Sequence, residues 1–257
     1  MRCLSEPPNP ALNTDAPQAA RQLALTLAAA MPRIIDRTAR VRELIAGFPR
    51  YLAAYGKTPA FTRAGQLEFH VETIRLRREL GSATAAVRDD RFLHSLYQTL
   101  NAWGIGRRAS RLLPEAQFAA AVRAREPEIS ELENASIEDL SLDTEAVCQR
   151  VWKLVDELGI IQNDTRIVPG TKTLHHILPD LVAPMDRGYT QKFFQWHNPQ
   201  FQYDQARKFR VIFLAFVDVA RAVKPSQFVT GGWNSSLTKV IDNAVVGFVT
   251  LEQTGGS

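Results

Sequence analysis

Two residues in the segment PGTKTLHHILPDLVAPMDRGYT (169–190) carry the strongest chemical signal in the chain, Lys172 and Asp186. The spacing predicts Lys172 near the start of a helix introduced by Pro169 and Gly170. It places Asp186 at the start of another, after a loop bounded by Pro179 and Pro184. A helix start offers free backbone N–H groups and a positive dipole end, a seat for a phosphate. The same field, with partial burial, disfavours an ammonium. A lysine that sheds its proton near neutral pH can attack a sugar carbon. For Asp186 the field works the other way, because N–H groups aimed at a carboxylate keep it ionised. An ionised carboxylate beside a sugar stabilises the oxocarbenium charge that grows as a glycosidic bond breaks. A helix of about eight residues rises ~12 Å, and linker residues 179–185 can reach back as much as ~23 Å. The two side chains can therefore face one nucleotide-sized cleft.

Pro169–Gly170–Thr171–Lys172, an apolar helix, and then Ala183–Pro184–Met185–Asp186 resemble the catalytic core of the helix-hairpin-helix DNA glycosylases, nearest the 8-oxoguanine DNA glycosylase branch. The resemblance covers residues 147–190. It implies a DNA N-glycosylase that flips a modified base out of double-stranded DNA and leaves an abasic site, with no metal or organic cofactor. Lys172 would take the role of covalent nucleophile, with possible strand cleavage, and Asp186 that of electrostatic partner. Alternatively, Lys172 holds a phosphate and Asp186 assists water. The hairpin carries one glycine where the family's has two, and the fourteen positions from Lys172 to Asp186 are fewer than usual. Oxidised guanine follows from the nearest branch. A bulkier base, such as glucosylated hydroxymethylcytosine in phage DNA, fits the departures and would exchange DNA repair for antiviral defence. Two rivals remain open: a non-catalytic DNA-binding module of the same fold, and a helical protein-interaction adaptor.

Other residues would complete such a site. His176 lies one turn from Lys172 and shares its face, so it is a candidate for base contact. His175, adjacent, diverges from it by about 100°; the pair is not expected to grip one metal, and His175 reads as packed or capping. Residues 193–209 hold six aromatics, of which Phe194, Trp196, Phe201 and Tyr203 are candidates for a base pocket. The commoner fate of aromatics is to fill a core. Gly170 and Thr171 at the hairpin, Arg107, Arg108 and Arg111 after the Gly104 turn, and Arg187 beside Asp186 are candidates for DNA contact. The pairs Asp89–Asp90 and Glu138–Asp139 read as solvated or capping. A serine-hydrolase elbow, P-loop, Rossmann fingerprint and zinc spacing are absent.

The elements that must position these groups are helical. Leu23, Leu27 and Met31; Val41, Leu44, Ile45 and Phe48; Leu67, Val71 and Ile74; Phe92, Leu96, Leu100 and Trp103; and Val147, Val151, Leu154, Val155 and Leu158 all recur at helical spacing. Asn234–Ser235–Ser236 announces a last helix. The best strand candidate, Thr165–Val168, is short. An all-α fold of roughly ten helices is expected, as two halves flanking a cleft. A loose arm over 1–16 would precede a single domain over 17–257.

Residues 126–145 hold eight acids and no Lys or Arg, and read as a solvated waist. The rest of the chain then carries 31 basic against 19 acidic residues, the positive excess expected of a nucleic-acid binder. Two distant cysteines, Cys3 and Cys148, point to a reducing cytoplasm. No apolar run approaches the ~20 residues needed to span a bilayer, and a monomer is expected.

Overall fold

The computed structural model describes residues 36–57, 63–105, 111–197 and 201–255. The arm over 1–16, the Leu23–Leu27–Met31 pattern, Arg107 and Arg108 lie outside these residues. The described residues are all-helical, with only isolated bridges, Leu112 to Ile161 and Gly231 to Asn234. Residues Arg37–Ser257 form one compact unit. Its α-helices are α1 (Arg37–Ala46), α2 (Phe48–Tyr55), α3 (Gln66–Glu79), α4 (Ala83–Arg88), α5 (Asp90–Ala102), α6 (Glu115–Arg123), α7 (Glu126–Leu132), α8 (Thr144–Glu157), α9 (Ile167–Ile177), α10 (Thr190–Phe193), α11 (Gln205–Val223) and α12 (Leu237–Gly255). None is long and apolar enough to cross a membrane.

The amphipathic stripes explain most of this order. On α8, Val147, Val151, Leu154 and Val155 all turn inward, and Gly159 takes a left-handed φ of 65° just past its end. On α5, Phe92, Leu96 and Leu100 are buried, while Asp89 caps the start by accepting from the backbone N–H groups of Arg91 and Phe92. Ser236 caps α12 by accepting from Lys239 N at 3.3 Å.

Two expectations fail for physical reasons. The acidic segment 126–145 is no solvated waist, because Ile129, Leu132 and Ile137 are buried in the common core. Its acids are also tied to the body: Glu126 to Arg88, Glu133 to the start of α4 through Thr84, and Glu145 to Arg210. The expected lack of convincing strands holds among the described residues, and within the short candidate Thr165–Val168 it is Ile167 that opens α9. On α3 the buried residues are Gln66, His70, Thr73, Ile74, Leu76 and Arg77, most of them polar, and Val71 is exposed. The polar ones meet polar partners. Thr73 Oγ1 meets Ser95 and Thr99 hydroxyls at 2.7 and 2.8 Å, and Arg77 Nε donates to the Ile177 carbonyl at 2.7 Å.

The centre of the unit is α9. It packs on α3, α4, α5 and α8, and all eleven of its residues are buried. A helix buried all round that carries Thr171, Lys172, Thr173, His175 and His176 must find a partner for each polar group or leave it at a cost.

Candidate active site

Pro169 and Gly170 do not form the turn that their types suggest. They lie in the first turn of α9, where proline is tolerated because its missing N–H had no intrahelical partner. The hairpin between α8 and α9 is the preceding loop, residues 158–166. Gly170 N donates to the Arg166 carbonyl at 2.9 Å, so it cannot hold a phosphate. The glycine is needed for packing, since a Cβ there would sit 2.8 Å from Val155 Cγ1. Thr171 is fully buried; its hydroxyl donates to the Ile167 carbonyl at 2.6 Å and accepts from Met185 N at 3.1 Å. Both are thus removed from the candidate DNA contacts, and Thr171 instead pins the loop before Asp186 to α9.

Lys172 therefore stands in the second turn of α9, beyond reach of the strongest dipole field. Its amine is nonetheless pushed below the ordinary lysine range, first by burial. Asp186 and Asp242 pull it back up, and Lys239 pushes it down. Asp186 stands across from it. Its Oδ1 accepts from Tyr189 N at 2.7 Å and Thr190 N at 3.4 Å, which fixes the carboxylate at the start of the turn into α10.

Lys172 and Asp186 line one narrow hollow together with Trp103, Pro184, Trp233, Lys239 and Asp242. At its centre there is room for about one water, so it is narrower than the nucleotide-sized cleft expected. The Lys172 Nζ lies 5.5 Å from the Trp103 ring centroid. Lys239 differs from Lys172 in being committed: its Nζ donates to Asp242 Oδ2 at 2.7 Å and Asn243 Oδ1 at 2.5 Å. Burial raises the Asp242 carboxyl above the usual range against the opposing pull of Lys239.

The base-pocket candidates lie elsewhere. Phe194 and Phe201 are core residues, Trp196 stacks on Phe194 at 5.3 Å beneath the Arg37 guanidinium, and Tyr203 is exposed. None of them lines the hollow, and they follow the common fate of aromatics. His176 is also fully buried and does not line it. Its Nδ1 donates to the Lys172 carbonyl at 2.8 Å, and its Nε2 meets His70 Nδ1 at 3.0 Å. Its ring and that of His175 do not diverge into separate environments; their centroids are 5.0 Å apart in one cluster with His70. Of the remaining candidates for DNA contact, Arg111 is exposed, and Arg187 is half-buried against the side-chain amide of Gln202.

Sequence reasoning missed Trp233, Lys239, Asp242 and His70. Only the cap signal before α12 hinted at the first three, by predicting a helix start close to them.

Comparisons of the chain with protein-family models, curated proteins and solved structures find no match.

Proposed function

We propose that the chain is a DNA N-glycosylase that removes a modified base from double-stranded DNA and leaves an abasic site. The observation that carries this reading is the pairing of a buried amine, Lys172, with a backbone-held carboxylate, Asp186, on one hollow walled by two indoles. In its neutral form the amine attacks C1′ of the flipped nucleotide. The base departs with the glycosidic electron pair and takes up a proton from the amine; the nitrogen lone pair then forms the C=N bond as the C1′–O4′ bond opens and O4′ is protonated, and the resulting Schiff base can lead to strand cleavage. Asp186 stabilises the positive charge on the sugar as the bond breaks. If water attacks instead, Asp186 orients it and no covalent adduct forms. Trp103 and Trp233 supply flat faces against which an extruded base can stack. The candidate bases remain oxidised guanine, for a repair enzyme, and a hypermodified base such as glucosylated hydroxymethylcytosine, for an antiviral one.

The narrowness of the hollow favours one second reading, a DNA-binding module of the same architecture without catalysis. Defined duplexes carrying each base separate these readings. Abasic product from one of them supports the glycosylase, and its identity names the base; product from oxoguanine alone disposes of the phage substrate. Salt-sensitive binding without product, unchanged by Asp186→Asn, favours the module.

A further inference from the structure

We propose that His70 of α3 and His175 and His176 of α9 form a binding site for a zinc-like divalent cation. All three rings are fully buried, and each offers a nitrogen lying within 4.8 Å of those of the other two.

The hydrogen bonds on the outer side of each ring decide where the lone pairs point. His176 Nδ1 faces the Lys172 carbonyl at 2.8 Å, and His175 Nδ1 faces the Val182 carbonyl at 3.1 Å. A carbonyl only accepts, so both rings carry their proton on Nδ1 and present Nε2 as a lone pair. His175 Nε2 is buried with no partner among the described residues. An orphaned imidazole nitrogen in a dry interior is costly, and a cation would satisfy it. His176 Nε2 lies 3.0 Å from His70 Nδ1, and the far nitrogen of His70 lies 2.8 Å from Ser235 Oγ. With its proton on Nε2, donated to Ser235, His70 turns a third lone pair inward.

Three imidazoles whose outer N–H groups are each held by a carbonyl or hydroxyl form the usual outer shell of a metal-binding histidine set. Zinc–nitrogen bonds of ~2.0–2.1 Å at tetrahedral angles need nitrogens about 3.3 Å apart. One pair is already at 3.0 Å, and the other separations, none above 4.8 Å, need close by no more than about 1.5 Å. Neutral imidazoles with no thiolate or carboxylate favour zinc and its late first-row neighbours over magnesium or calcium. The fourth position is left to water or a small anion. Lys239 and Arg78 repel a cation here, and Asp242 offsets that repulsion. The bound cation would clamp α3 to α9 at the turn whose carbonyl belongs to Lys172, which makes it a positioning element for the hollow rather than a participant in chemistry there.

The test uses the full chain, treated with a chelator, dialysed, and titrated with cobalt chloride and then zinc chloride. One equivalent of cobalt should bind with the visible bands of a nitrogen-ligated ion, and zinc should displace it. His175→Gln should abolish these bands, Ser235→Ala should weaken binding by about 10–100-fold, and His94→Gln, on the exposed face of α5, should change nothing. Should His175→Gln fail to fold by circular dichroism, nitrogen-15 imidazole spectra of the wild type decide: zinc must shift one ring nitrogen in three of the five histidines. Failure to bind one equivalent, retention of the bands in folded His175→Gln, or zinc shifts confined to exposed histidines would overturn the site. These readouts need no DNA, so failure here leaves the glycosylase reading standing, and the reverse also holds.

Discussion

The Lys239 ammonium donates to the Asp242 carboxylate at 2.7 Å in the floor of the hollow, with both side chains almost wholly buried. Two lysines share this hollow, and the pairing sets them apart. Lys239 is held by two acceptors, so its charge is structural. The amine of Lys172 has no such acceptor among the described residues and is the one the proposed mechanism uses.

Denaturation should expose that difference. Lys239→Ala strands a buried carboxylate and should lower stability by about 3–5 kcal/mol. Lys172→Met removes a buried amine without stranding a partner at bonding distance, and should stay within about 1 kcal/mol of wild type. Urea unfolding of both variants checks the pair; equal losses would contradict the division of roles.

Among the glycines of the described residues, Gly247 leaves the least room for a side chain. A Cβ there would lie 1.9 Å from the Tyr51 carbonyl oxygen, so α12 and α2 meet backbone to backbone. Gly247→Ala should cost about 3 kcal/mol or more. Gly170→Ala meets chiefly the Val155 side chain, with the Val155 carbonyl oxygen at 3.4 Å, should cost about 1–3 kcal/mol, and should recover in large part when combined with Val155→Ala. The double variant should keep its DNA affinity, since the Gly170 N–H is already used within α9; a large loss of affinity would restore the phosphate role rejected above.

The aromatics should divide by function. Trp233→Ala should weaken binding to a duplex carrying the target base by about 1–3 kcal/mol, the usual worth of one base stacked on a ring. Phe194→Ala and Phe201→Ala should instead cost about 3–5 kcal/mol of stability and leave the remaining folded protein with normal discrimination between bases. Fluorescence anisotropy beside thermal unfolding separates the two effects.

Burial raises the Cys148 thiol to about 12, first through desolvation and then through Glu145. The folded thiol therefore stays protonated as pH climbs through the ordinary thiol range, while the unfolded thiol ionises there, so the stability it carries is full below about pH 9 and is lost progressively as pH rises to about 12. In a Cys3→Ser background, iodoacetamide at pH 9 should modify Cys148 at the rate of global unfolding, and at an ordinary thiol rate in urea. Fast native modification would contradict the packing of α8.

The local half of this architecture was legible in the chain. The stripe on α8, the cap of α5 at Asp89 and the serines before α12 each act within a turn or two, so periodicity and capping chemistry reveal them. Lys172 and Asp186 were legible because a short loop returns one toward the other. The misplaced hairpin has a similar local cause: Pro–Gly suits a turn but also a helix's first turn, and only the nearness of Val155 to Gly170 decides between them. The rest of the site was not legible. His70 reaches His176 across 106 positions, and Trp233 and Lys239 come from the far end of the chain. On α3 the rule that apolar residues face inward holds for Ile74 and Leu76 but not for Val71, because much of that face is built around hydroxyls and imidazoles with partners on α5 and α9.

The central claim is that Lys172 attacks sugar carbon with Asp186 beside it. Borohydride reduction during incubation with duplexes containing each candidate base, using wild type, Lys172→Met and Asp186→Asn, tests it most directly. The account predicts a covalent protein–DNA adduct that is absent in Lys172→Met and strongly reduced in Asp186→Asn. An adduct that survives folded Lys172→Met, or neither adduct nor abasic product from any duplex, would contradict it.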